Sequence, residues 1–267
     1  MGQKDIRLYW HGGAEGTVNY GDTLSPHIVE MMAARRVCFA NLARCDMVAI
    51  GSILDKAVRK TGKRKWVLNF DELRVWGTGS FGGGHLKNHS NLSCHSVRGP
   101  RTRDLMGLDA DLPMGDPGLL VREWAEKQKP YYPLGIIPHV ADWNNPYLKH
   151  LSECYPKSAT IDLRDPDIKG IARKISSCEL IISTSLHGII TADAYNIPNI
   201  WLRLSDNVHK ADWKFTDYFQ SVDRNIVEPF SPSQLPLDLT EIASCADPSM
   251  IDARINDLHR SFKTMNI

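Results

Sequence analysis

Short apolar runs alternate with stretches of helical spacing along most of this chain. The clearest case starts at Glu179-Leu180-Ile181-Ile182, a run suited to a strand buried on both faces of a parallel sheet. Ser183, Thr184 and Ser185 break it. Ile189, Ile190, Ala192, Ala194 and Tyr195 then carry helical spacing, Pro198 ends the helix, and 198–202 reads as the next strand. The same alternation predicts strands over 5–11, 46–52, 73–79, 92–97, 134–140 and 159–163. Helices are predicted over 28–36, 53–61, 146–154, 167–176 and 248–265, the first with Ser25 as its cap and Pro26 in its opening turn.

Strands and helices in regular alternation predict an α/β fold with two Rossmann-like domains, each built on a parallel sheet. The polar stretch 125–130 ends in Pro130 and reads as a hinge. It divides the chain into 1–127 and 128–247, followed by a C-terminal helical segment, 248–267.

Composition narrows the function classes. A net charge of +1 over 267 residues argues against nucleic-acid or membrane-surface binding driven by overall charge. A few focused cations still suffice to bind an anionic substrate. No apolar run approaches the roughly 20 residues that cross a bilayer, and the N-terminus carries no signal-peptide core, so a cytoplasmic location is expected. The six cysteines are scattered with no Cys-x-x-Cys pair, which predicts reduced thiols and neither a disulfide framework nor a zinc site.

The candidate chemistry gathers where strands end. Ligands bind open α/β sheets at the strands' carboxyl ends, and a helix start adds unpaired N–H groups that favour a phosphate or carboxylate. Ser185-Leu186-His187-Gly188 is such a turn, and the imidazole of His187 can donate a hydrogen bond or move a proton. Asn19 and Asp22 stand near another helix start, with a capping network as the plain alternative. Gly77-x-Gly79 and the run Gly82-Gly83-Gly84 follow a predicted strand, where glycine lets a backbone wrap an anion. Arg98 ends a strand, Asp116 lies in a Gly-Asp-Pro turn, and His139 closes the strand 134–140.

Taken in order, these segments resemble one family. They are Asn19-Tyr20-Gly21-Asp22-x-Leu24-Ser25-Pro26, Val48-Ala49-Ile50-Gly51-Ser52, Val75-Trp76-Gly77-Thr78-Gly79, Ser96-Val97-Arg98, Gly115-Asp116-Pro117 and Ser185-Leu186-His187-Gly188 through Pro198. Together they are similar to the polysaccharide pyruvyl transferases, which place ketal-linked pyruvate on glycans. Gly99 stands where that family often has an acidic residue.

The resemblance implies a GT-B-like architecture with the active site in the cleft, and a final helix crossing back to the first domain. It implies phosphoenolpyruvate as donor and no metal or organic cofactor. An oligosaccharide would be the acceptor; a lipid-linked one would bring the protein to the inner membrane face, and no nucleic acid is involved. Donor binding then falls to Arg98, Ser185, Leu186, His187 and Gly188, with Lys210 and Lys214 adding charge. His187, Asp116, His139 and Asp22 are the proton-transfer candidates, and Asn19, Gly77 and Gly79 the acceptor-side ones. Two competing expectations are a GT-B-type glycosyltransferase that uses a nucleotide sugar and a non-catalytic glycan- or phosphate-binding protein.

Overall fold

A computed structural model of the chain describes residues 4–16, 18–61, 72–82, 91–206, 211–226 and 228–267. In the first half β1 (Ile6–Tyr9), β2 (Val37–Phe39), β3 (Met47–Val48), β4 (Leu73–Trp76) and β5 (Leu92–Ser96) form one sheet in the order β2-β1-β3-β4-β5. The helices of this half are α1 (Tyr20–Ala33), α2 (Leu54–Thr61), α3 (Pro100–Leu105) and α4 (Val121–Trp124). In the second half β6 (Tyr132–Ile137), β7 (Ser158–Thr160), β8 (Cys178–Ser183) and β9 (Asn199–Trp201) pair in the order β7-β6-β8-β9. Around them run α5 (Tyr147–Cys154), α6 (Ile168–Ser176), α7 (Leu186–Ala194), α8 (Ala211–Ser221) and α9 (Pro248–Thr264).

Every pairing between these strands is parallel. The chain therefore has the predicted α/β class, with one parallel sheet in each half. The strand orders also decide where each sheet opens. In both, the first strand of the half lies between the second and the third, so the chain runs outward in opposite directions from β1/β3 and from β6/β8. Such switch points leave a crevice at the strands' carboxyl ends. Tyr9 pairs with Val48 at the first crevice and Ile137 with Ser183 at the second.

The sheets are held together by apolar packing. Leu8, Tyr20, Leu24 and Ile28 from the first half share one buried cluster with Ile137, Ile161, Ile189 and Ile190 from the second, and Leu119 to Val121 join them. Tyr20 Oη and Thr191 Oγ1 form a buried hydrogen bond across this contact, at 3.1 Å. The stretch read as a hinge is fixed in place: Tyr195 Oη donates to the carbonyl oxygen of Ala125 at 2.6 Å, and Lys127 Nζ to that of Tyr195 at 2.6 Å. Helix α9 lies against β4 and β5, where Trp76 Nε1 donates to Leu258 O and Ser261 Oγ, both at 3.2 Å.

The largest departure from the sequence expectation is the start of α1. The helix begins at Tyr20, with Asn19 at its N-cap and Pro26 inside it. Proline removes one backbone donor but is compatible with helical φ, and the buried face formed by Tyr20, Gly21, Leu24, Ser25, Ile28 and Val29 outweighs that loss. Ser25 is no cap; its Oγ accepts from the Ile50 N–H at 3.3 Å.

A second buried network ties α7, α8 and the strap before α9 together. Asp193 is fully buried and accepts from Arg224 Nη1, Tyr218 Oη and Asn199 Nδ2 at 2.8–2.9 Å. Arg224 Nη2 also donates to Ser244 O at 3.0 Å. Removing one member of a buried ion pair leaves the other charge uncompensated. Asp193→Ala should therefore lower unfolding free energy by about 3–5 kcal/mol, measured by urea titration; a loss under ~1 kcal/mol would mean that the pair is not needed.

Candidate functional site

The two switch points face each other across a cleft of about 570 Å³, within the usual range for a small-molecule site. From the first half it is lined by His11, Glu15, Asn19, Asp22, Ser52 and Lys56. The second half contributes His139, Arg164, Ser185, Leu186, His187 and Lys214. A concavity of similar size lies at the opposite edge of the first sheet, beside Ile6 and Arg7. There Arg7 is already paired with Asp46, and that edge is not where open α/β sheets bind ligands.

One end of the cleft is built to receive an anion. Ser185 starts α7 with no side-chain hydrogen bond to the first turn, so its leading N–H groups and the positive end of the helix dipole remain available. Lys214 faces the same space from α8 and has no ion-pair partner among the described residues. Burial brings its ammonium down to about 8, nearby Arg98 adds to the fall, and Asp22 and Asp142 oppose it. It is a cation whose charge is undercompensated, and a bound anion would complete it.

His187 sits at the junction of the two halves. A Cβ on Gly21 would fall 1.9 Å from its Nδ1, so the ring lies directly on the α1 backbone. A Cβ on Gly118 would be 3.6 Å from its Cδ2. Its Nε2 is buried and points at Asp116 Oδ2, 3.8 Å away. Burial pushes His187 down to about 3, helped by the charges of Lys214 and Arg98, so the imidazole is neutral at pH 7. Asp116 has no exposed surface; burial raises its carboxyl to about 6 against the opposing pull of Arg98. Its Oδ1 accepts from the Gly118 N–H at 2.9 Å, and its Oδ2 has no hydrogen-bond partner.

Asp22 projects into the cleft from the first turn of α1 and accepts from Asn19 Nδ2 at 2.9 Å. Burial raises it to about 6, although His11 and the lysines at 214 and 56 pull the other way. His139 also lines the cleft; burial and Lys214 lower it to about 4, and its Nδ1 accepts from the Ala141 N–H at 3.1 Å. That bond leaves its other ring nitrogen as the one free to meet a ligand.

Arg98, Gly77, Gly79 and Asp116, all expected in the site, do not line the cleft. Arg98 is completely buried behind the wall. Its Nε pairs with Asp217 at 3.0 Å, and Nη2 donates to Ser80 O at 3.0 Å. Only through Nη1, which donates to Ser52 Oγ at 2.8 Å, does it reach a cleft residue. The guanidinium is committed to a buried carboxylate and cannot also grip a ligand from that position. Gly77 and Gly79 are packing positions: a Cβ would fall 2.3 Å from Pro117 Cδ at the first and 2.1 Å from Arg98 Cζ at the second. Asp116 stands behind His187, so an acceptor in the cleft does not touch it directly.

The expected Lys210, and Gly83 and Gly84 of the glycine run, lie outside the described residues. Asp217, Ser52, Lys56, His11 and Glu15 went unrecognised. Gly99 shows why Asp217 could not be found: a Cβ there would fall 1.9 Å from Asp217 O. The acid that serves Arg98 thus comes from α8, more than a hundred residues away. Only Ser52, at the end of a strand closing in Gly-Ser, carried a local signal.

Residues 84–206 match the family model for polysaccharide pyruvyl transferase, so the resemblance seen in the sequence is borne out over that span. It includes Arg98, Asp116, His139 and His187, and it leaves out Asp22, Ser52 and Lys214. An uncharacterised protein of Acanthamoeba polyphaga mimivirus is 36% identical over 47% of this chain and 46% of its own. The succinoglycan biosynthesis protein ExoV of Rhizobium meliloti (strain 1021) is 29% identical over 66% of this chain and 53% of its own. The chain thus spans about half the length of the curated relatives it matches. A solved structure of a functionally uncharacterised Klebsiella pneumoniae protein superposes with a TM-score of 0.49 at 10% identity, covering 85% of this chain and 92% of that one. Among the described residues, no helix is long and apolar enough to cross a membrane.

The shifted histidine sets a pH dependence of stability. Its folded pKa is depressed, so its contribution is complete above the unfolded value near 6.5 and is lost as pH falls towards 3. Asp22 and Asp116, both raised, act with the opposite sign: they favour the fold below about 4 and lose that contribution as pH rises through 6. His187→Gln removes only the first effect. Between pH 7 and pH 5 the variant should lose about 2 kcal/mol less unfolding free energy than the parent chain. Urea midpoints at both pH values measure it, and parallel losses would show that the histidine is not held neutral.

Proposed function

We propose that this chain transfers pyruvyl groups in polysaccharide synthesis, using phosphoenolpyruvate to form a cyclic ketal on two hydroxyls of a glycan sugar. The observation that carries this is the pairing of an uncapped helix start with Lys214, which has no ion pair among the described residues, in a cleft shared by two switch points. The family match over 84–206 and the relative named for succinoglycan biosynthesis support the same setting.

The donor carries a carboxylate and a phosphate. The N–H groups at the start of α7, with Lys214, take its anionic groups, and Arg98 acts only through Ser52. Asp22, raised towards neutral pH, supplies the proton that converts the donor's methylene carbon to a methyl group. The neighbouring carbon becomes electrophilic and accepts the electron pair of a sugar hydroxyl, whose proton passes to a base. Phosphate leaves with the electrons of its bond to carbon. The second hydroxyl adds in the same way, and its proton balances the one consumed by the methyl group. Asn19 and Glu15, which line the cleft from the first half, border the acceptor. No metal or organic cofactor enters this scheme, as the resemblance implies. The reaction would run in the cytoplasm, and at the inner membrane face where the glycan is lipid-linked.

Incubation with phosphoenolpyruvate and a panel of glycans should release inorganic phosphate only when the right acceptor is present. Sugar transfer from a nucleotide sugar, with the nucleoside diphosphate released and no inorganic phosphate, or binding of glycans without turnover, would overturn the proposal. Lys214→Ala should raise the donor KM at least tenfold. In the parent chain, donor affinity should fall as pH rises through about 8, where that ammonium loses its proton. An affinity flat from pH 7 to pH 9 would remove Lys214 from the donor site. Asp22→Asn should lower kcat by about 10²–10⁴ with the fold intact by circular dichroism.

A further inference from the structure

Asp116 Oδ2 and His187 Nε2 are both buried and both lack a hydrogen-bond partner. Each is costly to leave unpaired, and they face each other at 3.8 Å. A movement of about 1 Å makes them a hydrogen bond. Neither side is free to turn elsewhere. The ring lies on Gly21 and beside Gly118, and the other carboxylate oxygen of Asp116 is held by the Gly118 N–H at 2.9 Å.

We infer that Asp116 is a positioning residue that holds His187 in its Nε2–H tautomer, so that Nδ1 meets the cleft as a proton acceptor and His187 serves as the base. The chemistry follows from the donor and acceptor inventory. A carboxylate only accepts, so the nitrogen facing it carries the hydrogen; a neutral imidazole has one such hydrogen, and Nδ1 is left with a lone pair. The ring begins neutral because burial disfavours its charged form, and the cations Lys214 on α8 and Arg98 after β5 add to that effect. Asp217 on α8 faces Asp116 in turn.

When a sugar hydroxyl gives its proton to Nδ1, the O–H electron pair stays on oxygen and forms the new bond to carbon. The imidazolium so created has its Nε2–H against a carboxylate, where the new charge is offset. His187 is thereby neither the acid nor a hydrogen-bond donor to the phosphate. The base role rests on the pyruvyl-transfer proposal; the tautomer does not.

The test is long-range proton–nitrogen NMR on the whole chain with ¹⁵N-labelled histidine, with His187→Gln assigning the signal. At pH 7 the parent chain should show the Nε2–H tautomer without any substrate. In Asp116→Asn the amide oxygen keeps the Gly118 bond and the NH₂ group faces the ring. That variant should switch to Nδ1–H, and its kcat should fall at least 100-fold with donor KM within about threefold. The conservative geometry of asparagine makes a mere packing defect separable, since packing loss alone does not reverse a tautomer. An Nδ1–H signal in the parent chain overturns the inference, with or without a folded variant. An unchanged tautomer or unchanged kcat in Asp116→Asn overturns it as well. If the tautomer is as stated and no glycan elicits phosphate release from phosphoenolpyruvate, the positioning holds and the pyruvyl-transfer proposal fails.

Discussion

The ring of His187 rests on the α-carbon of Gly21, and that contact sets how closely the two sheets approach. Any side chain at position 21 would drive α1 away from α7. The apolar cluster that runs from Leu24 and Ile28 to Ile189 and Ile190 would then open, and with it the register of the two switch points. Interiors packed like organic crystals tolerate little such displacement. The cleft is therefore a consequence of the dry contact behind it. Its walls are strand ends that the interface brings face to face.

Burial then decides the charge state of what lines the cleft. A carboxylate 3.8 Å from an imidazole would ordinarily favour the imidazolium. Here His187 is nevertheless held neutral, because desolvation and the cations at 214 and 98 act together. The same desolvation lifts Asp22 and Asp116 towards neutrality and brings Lys214 within reach of physiological pH. The result is a set of groups poised to exchange protons, beside a helix start that attracts anions.

Arg98 illustrates how a residue can be essential to a site without facing it. Its guanidinium lies against Gly79, pairs with Asp217 and reaches the cleft through the Ser52 hydroxyl. Asp217 also accepts from the Thr102 N–H at 2.9 Å and from its hydroxyl at 2.6 Å. This buried cluster fixes α8 against α3, and so fixes the direction in which Lys214 enters the cleft. The position of Lys214 in the cleft thus depends on a buried ion pair that does not line it.

Much of this was legible in the residues themselves. Alternating apolar runs and helical spacing determined the parallel α/β class, and the location of His187 and His139 just beyond strand ends and of Asp22 near a helix start followed from the same pattern, because backbone periodicity is a local property. The ordered motifs were enough to indicate the resemblance that the family model matches over 84–206. Local pattern failed where a long-range contact overrode it. Pro26 lies within α1 because a buried face repays the lost hydrogen bond, and Gly77 and Gly79 serve packing against Pro117 and Arg98. Sequence also put Arg98 and Asp116 in the site without distinguishing wall from backing. That distinction depends on which side chains lose contact with water, and desolvation is set only when distant segments meet.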